Sequence, residues 1–187
     1  MDLQRIINSC IKKDTKAQNA LYMHTSKKMY AVCVRYMKDH DAAKDLLQDS
    51  YVKIFNSIDK YNGEGHIEGW MRRIVVNTCL DQIKKNKRNT VDQTVLQESL
   101  YPENEETDDA VYSPELLMEA ILELDTPFRL VFNLFFIEDY SHEEIAQVLD
   151  IDPATSRSRL RRARQKLNEI LKSKTNSSTS NSYINAK

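Results

Sequence analysis

"DYSHEEIAQVLDIDPATSRSRLRRARQKL", residues 139–167, is the stretch from which the rest of the chain can be read. Ser141 and Glu144 stand at the S-x-x-E spacing of a capping box, so a helix starts there. Ile145, Ala146, Val148 and Leu149 give that short helix one apolar face. "DID" at 150–152 is a tight connection, and Pro153 suits the first turn of the helix that follows. Two helices joined by a short turn, with the small Ala146 at the crossing, form a helix-turn-helix pattern. Glycine is usual in such a turn. Asp150 stands there instead and takes a left-handed backbone less easily.

On the second helix Leu160, Ala163, Leu167 and Leu171 recur at steps of three and four, which turns them toward a core. Five arginines fall within the eight positions 157–164. Arg157, Arg161 and Arg164 flank the apolar stripe on one side, and Arg159, Arg162 and Lys166 on the other. No carboxylate lies between Ala154 and Asn168 to pair with them along the helix. The cluster therefore calls for an outside anion, and duplex DNA is the anion a helix-turn-helix presents itself to. Thr155, Ser156 and Arg157 lie in the first turn, the part of such a helix that enters a major groove. Arginine bonds a guanine edge bidentately, while neighbouring Arg and Ser hold phosphates.

The composition agrees with helices throughout. Apolar residues make up 41% of the 187, enough for a core, while only three glycines and four prolines interrupt the chain. The expected fold class is all-α: two small helical domains joined by an acidic flexible linker, the second a helix-turn-helix domain. No run of about 18 uncharged apolar residues is present, so no membrane insertion is expected. The first residues, "MDLQRIINSCIKKD", lack a signal-peptide core. Cys10, Cys33 and Cys79 are an odd, scattered set with no CxxC spacing. They read as reduced core thiols of a cytoplasmic protein rather than a disulfide framework, zinc site or redox sensor.

A net charge of only −1 conceals strong segregation of charge along the chain. Residues 1–89 are helix-rich and end in a basic run that includes Lys84, Lys85, Lys87 and Arg88. Residues 90–113 carry no Lys or Arg and are acidic. Residues 114–172 are helical again, beginning at Pro114 behind the capping Ser113. Residues 173–187 are small and polar, too poor in apolar groups to fold alone, and are expected to be a disordered tail.

Within the first block, "LYMHTSKKMYAVCVRYM" is a helix with Leu21, Met29, Val32 and Tyr36 inward. After a break at "KDHD" comes a second amphipathic helix with Leu46, Leu47, Val52, Ile54 and Phe55. "KYNGEG" must be a loop, holding two of the three glycines. The helix after it carries Arg73, Asn77, Lys84 and Arg88 on one stripe, with Trp70, Ile74 and Leu80 opposed to it. A flexible loop (Tyr61, Gly63, Gly65, His66) with an aromatic at its base, beside a cationic helix, is what single-stranded or opened nucleic acid requires.

"DAAKDLLQDSYVKIF", then "GWMRRIVVNTCLDQIKK", an acidic linker, and the helix-turn-helix stretch together resemble the bacterial sigma factors of the extracytoplasmic-function group. The resemblance covers roughly residues 5–172. It implies that the first domain docks on the clamp of core RNA polymerase and opens the minus-ten promoter element. It implies that the second meets the flap region and reads the minus-thirty-five element as duplex. Asp45, Gln48 and Asp49 match the clamp-contacting helix. Tyr61, Gly63, Glu64 and His66 fall in the base-receiving loop, with Ile67 where an aromatic is frequent. Asn77 resembles the polar reader of the melted strand, beside Arg73 and Lys84, whereas Trp70 is read as packing. Arg157, Ser158, Arg161 and Arg162 align with recognition-helix contacts, which Thr155, Ser156 and Arg164 extend. An anti-sigma factor is the further partner the family implies, and the acidic linker is expected to lie in a basic channel of the polymerase.

No cofactor, metal or enzymatic activity is expected. "HD" at 40–41 resembles a phosphohydrolase motif, but a working site would need further His and Asp ligands on neighbouring helices. Only His24, His66 and His142 remain, and no Gly-rich phosphate loop or nucleophile triad is present. The competing reading is a stand-alone helix-turn-helix regulator that binds its duplex site without polymerase.

Overall fold

The computed structural model describes residues 3–89 and 112–184. Among them every regular element is helical, as the scarcity of glycine and proline foretells. The chain divides into two compact units, Met1–Leu96 and Gln97–Lys187. The acidic stretch at 90–111 lies outside the described residues, so the expectation for it stands on sequence alone.

The first unit holds α1 (Leu3–Ile11), α2 (Thr15–Met37), α3 (His40–Ser57), a 3-10 turn (Ile58–Lys60) and α4 (Ile67–Asn89). Its helix starts are fixed by side chains that accept orphan backbone N–H groups. Asp14 Oδ1 accepts from the amides of Lys16 and Ala17, at 2.8 and 3.2 Å. Asp39 Oδ1 accepts from the Ala42 amide at 2.7 Å, which accounts for the break at "KDHD". Helices α2, α3 and α4 pack against one another, with α1 laid on α2. Leu21, Met29, Val32, Tyr36, Leu46, Leu47 and Ile54 fill the interior, as their spacing requires. Val52 does not join them and is 60% exposed. It stands seven residues from Asp45, two full turns, and so shares the solvent face of α3 rather than its apolar one.

A polar bond crosses this core between α2 and α3. The Thr25 hydroxyl has a single proton and gives it to the Leu21 carbonyl at 2.7 Å. The Tyr51 hydroxyl, 2.6 Å away, must then be the donor to Thr25. Burial pushes the Tyr51 phenol up to about 12, keeping that donor protonated.

The second unit holds α5 (Pro114–Glu123), α6 (Thr126–Phe132), a π-helical turn (Asn133–Ile137), α7 (His142–Leu149) and α8 (Pro153–Ile184). Helices α5, α6 and α7 all pack on α8. Leu160, Ala163, Leu167 and Leu171 are buried along it. Arg129, only 2% exposed, donates from Nη1 to the Leu124 carbonyl at 2.8 Å. Burial pulls its guanidinium down to about 10, still charged at neutral pH, and nearby Asp125 opposes the shift.

Beyond Lys172 the structure departs from the sequence reading. Residues 173–184, expected as a disordered tail, continue α8. No glycine or proline stands between Pro153 and Ile184 to end the helix. Ser173 and Thr175 turn their hydroxyls back onto the carbonyls of Ile170 and Leu171, at 2.7 and 3.0 Å. Lys174 bonds Glu123 and Glu119 of α5, at 2.8 and 3.3 Å, tying this extension to the unit.

Candidate nucleic-acid interface

The helix-turn-helix begins with the reciprocal capping box that "SHEE" foretells. The Ser141 hydroxyl accepts from the Glu144 amide at 3.2 Å, and Glu144 Oε2 accepts from the Ser141 amide at 2.8 Å. Asp150 does take the left-handed turn, at φ 55° and ψ 55°. It is held there by its own amide bonding the Ala146 carbonyl and by the Ile151 amide bonding that same carbonyl at 3.1 Å. Asp152 then caps α8. One carboxylate oxygen accepts from the Thr155 amide and the other from the Thr155 hydroxyl, each at 2.7 Å. These bonds hold the Asp152 carboxyl below its ordinary value. The sequence reading missed this cap, although Asp directly before Pro is a helix-start signal.

The candidate DNA contacts on α8 fall into two groups. Arg157 and Arg164 are exposed and Arg161 half-buried, on one face of the helix within about 60° at 100° per residue. Arg162 and Ser158 are half-buried further round the helix, and the Ser158 hydroxyl donates to the Thr155 carbonyl. Ser156 must be reassigned. It is 0% exposed and its hydroxyl lies 2.9 Å from His142 Nδ1, so it joins α8 to α7 and does not reach a groove. The spacing holds the reason: Ser156 precedes Leu160, Ala163 and Leu167 on the same stripe, four residues ahead of the first. The Thr155 hydroxyl is likewise committed, to Asp152.

Nor are the arginines without carboxylates. Glu143, across the turn on α7, places Oε1 3.8 Å from Arg157 Nη1. Lys166 bonds Asp125 and lies 4.9 Å over the Phe128 ring. Arg159 sinks far enough that burial lowers its guanidinium, with Asp152 opposing. The outward charge is therefore narrower than the sequence suggests, and centres on Arg157, Arg161 and Arg164.

In the first unit the loop at 61–66 is more tightly shaped than a flexible linker. The Tyr61 hydroxyl donates to the Gly65 carbonyl at 2.7 Å, and the Asn62 carboxamide accepts from the Glu64 amide at 3.1 Å. Gly63 and Gly65 adopt φ 83° and 71°. A Cβ at either would meet nothing within 4 Å, so conformation, not space, demands glycine there. The Tyr61 ring packs 5.8 Å from Trp70. Gly63, Glu64 and His66 are exposed at the loop's rim. Ile67, matched to an aromatic of the base-receiving loop, is instead 2% exposed in the first turn of α4 and belongs to the core.

Arg73, Asn77 and Lys84 are all exposed on α4, close to one line along it. Leu80 was expected on the opposite side. Seven residues separate it from Arg73, which puts it on the same line, yet it is 3% exposed. The exposed stripe is thus divided, with Arg73 and Asn77 beside the loop and Lys84 beyond a covered stretch. The Arg88 side chain lies outside those described. On α3, Asp45, Gln48 and Asp49 are exposed together, and Val52 extends their face. Among the described residues no cluster of three or more His, Cys, Asp or Glu side chains could hold a metal, and no helix is long and apolar enough to cross a membrane.

This pair of units, one with a glycine loop ahead of α4 and one with a helix-turn-helix, has counterparts in known proteins. Sigma-70 region 2 matches residues 21–89 and Sigma-70, region 4 matches residues 115–167, together well over half the chain. The chain belongs to the sigma-70 family. It is an RNA polymerase sigma factor of the extracytoplasmic-function (ECF) group, and sigma factors are non-enzymatic factors of transcription initiation. It is 30% identical over 148 residues to the ECF sigma factor SigE of Mycolicibacterium smegmatis, covering 77% of this chain and 57% of that protein. It is 27% identical over 161 residues to SigW of Bacillus subtilis, covering 78% and 83%. The fold is also that of the sigma factor RpoE of Bartonella quintana, solved with the anti-sigma factor NepR. That likeness has a TM-score of 0.50 and 21% identity, over 82% of this chain and 96% of that one.

Proposed function

We propose that this sigma factor divides its work between its units. The first, residues 1–89, binds the polymerase clamp and captures the opened minus-ten strand. The second, 114–172, grips the minus-thirty-five element as closed duplex. The observation that carries the reading is that two separately packed units each expose a face suited to one form of DNA. One is a glycine loop with Arg73 and Asn77 beside it; the other is the Arg157–Arg161–Arg164 face of a helix behind a capped turn.

Opening DNA requires binding energy rather than covalent chemistry. Flipping a base out of its stack costs a few kcal/mol, which a shaped pocket and cationic rim can offset. The exposed Asp45, Gln48 and Asp49 make an acidic face that the apolar Val52 extends at one end, the contact offered to core polymerase. Two small DNA-binding surfaces on one tether reinforce each other only when a scaffold fixes their spacing, so specificity emerges on the polymerase. The protein works in the cytoplasm, without cofactor or catalysis, and an anti-sigma factor is its natural inhibitor.

Run-off transcription with purified core RNA polymerase on a genomic fragment library, with and without the protein, tests this directly. New, discrete start sites are expected. Tight, specific duplex binding by the protein alone, with no start-site choice conferred on polymerase, would overturn it.

A further inference from the structure

The loop at 61–66 is closed from within by the Tyr61 hydroxyl on the Gly65 carbonyl. Its far end runs straight into α4, where the His66 carbonyl accepts from the Gly69 and Trp70 amides at 2.9 and 3.3 Å and Ile67 is buried. Next to Ile67 stands the half-buried Glu68, and a lysine 40 residues earlier in the chain reaches it. Lys28 Nζ, on α2, donates to Glu68 Oε1 at 2.8 Å and to Oε2 at 2.7 Å, so both carboxylate oxygens are engaged. His24, one turn earlier on α2, places its Nε2 4.0 Å from the same Oε1. A pair whose lysine is this exposed adds little to the stability of the fold. Its effect is local. Gly63 and Gly65 give the loop backbone little stiffness of its own, so the first turn of α4 sets how the loop's far end is presented. Trp70, which packs near Tyr61, and the exposed Arg73 follow Glu68 by two and five residues on that helix. An unpaired carboxylate at this edge would also repel an incoming strand, and Lys28 offsets its charge.

We propose that Lys28 is a positioning residue for promoter opening: acting through Glu68, it holds the first turn of α4 and with it the rim that receives the unpaired strand. Lys28 does this from a different helix and without touching DNA. The inference rests on the reading of the first unit as the strand-capturing one.

The test uses holoenzyme assembled from core RNA polymerase and the full chain, on a promoter identified by run-off transcription. Lys28→Met and Glu68→Gln should each slow the appearance of permanganate-reactive bases by up to about five-fold, the most that an exposed pair transmits. The double variant should open no more slowly than the slower single one, because both changes break one interaction. Lys28→Arg, which keeps a two-pronged contact to the carboxylate, should open at the wild-type rate. Core binding and the denaturation midpoint of the chain should hold in all four, and the salt dependence of promoter binding should not change. A salt slope reduced by about one in Lys28→Met, with Glu68→Gln opening normally, would make Lys28 a phosphate contact and overturn the proposal. Additive losses in the double variant, or a denaturation midpoint that falls in step with opening, would also overturn it. Wild-type opening matched by Lys28→Met would sink this proposal alone, whereas a wild-type holoenzyme that exposes no unpaired bases would sink the strand-capture reading with it.

Discussion

His142 Nδ1 lies 2.9 Å from the Ser156 hydroxyl, and this bond joins the two helices of the DNA-reading motif from the inside. Phe135 stacks on the same imidazole, with ring centroids 4.7 Å apart, so the π-helical turn of 133–137 and its aromatic residues support the joint from below. Ser156 therefore orients α8 without touching DNA. Ser156→Ala should lower the stability of the second unit by about 1 kcal/mol, the net worth of a buried hydrogen bond. Base preference at the minus-thirty-five element should be unchanged. Chemical denaturation and a binding-site selection performed with holoenzyme measure the two; an altered preferred sequence would return Ser156 to the groove.

The latch from Tyr61 to the Gly65 carbonyl predicts a separation of a different kind. Tyr61→Phe keeps the ring that packs near Trp70 and removes only the hydroxyl. The loop then loses the bond that holds it closed, and captures an unpaired base less readily. Promoter opening by holoenzyme, followed by permanganate reactivity of the bubble, should fall roughly five-fold, the equivalent of about 1 kcal/mol. Binding to core polymerase should be unaffected, because the proposed polymerase contacts Asp45, Gln48 and Asp49 lie on another helix. Equal losses in both would show that the loop matters only to folding.

Arg157 and Glu143 face each other across the turn at 3.8 Å, both more than half exposed. A pair so exposed is worth little, so the guanidinium remains free to leave for a base edge. Arg157→Ala should lose about 1–3 kcal/mol of discrimination at one base position while core binding is retained. Glu143→Gln removes a carboxylate that competes with DNA, and should tighten duplex binding severalfold without altering the preferred base. Both effects are read by competition binding of holoenzyme to promoter fragments carrying single-base changes. Loss of core binding in Arg157→Ala, with promoter choice preserved, would reverse the assignment of the two units.

How much the sequence disclosed depended on whether a residue's type matched its place. The Ser141–Glu144 box and the leucines of α8 were legible because a local rule and a buried stripe agreed. Ser156 was misplaced because a serine among arginines looks like a surface residue, although its spacing from Leu160 already set it on the buried stripe. Val52 erred in the opposite sense: an apolar side chain suggests burial whatever its angle, and on α3 the angle decides, whereas Leu80 is buried as its type suggests but at an angle that interrupts the Arg73–Lys84 line. The persistence of α8 beyond Lys172 was masked by a polar composition that lacks any helix-breaking residue.

The cap on α8 adds a dependence on pH. Asp152 accepts two bonds from Thr155, which hold its carboxyl below the ordinary 3.8 in the folded chain. A depressed folded value means that the unfolded chain takes up the proton first. The stabilisation is then complete above the ordinary value and disappears as pH falls through the folded one. Asp152→Asn retains a capping side chain but does not titrate. The thermal midpoint of wild type should exceed that of the variant at neutral pH, and the difference should vanish below the carboxylate range. Taking the difference between the two proteins cancels the titration of the other acidic groups they share. A gap that stays constant from neutral to acid pH would show that the Asp152 charge contributes nothing to starting the recognition helix.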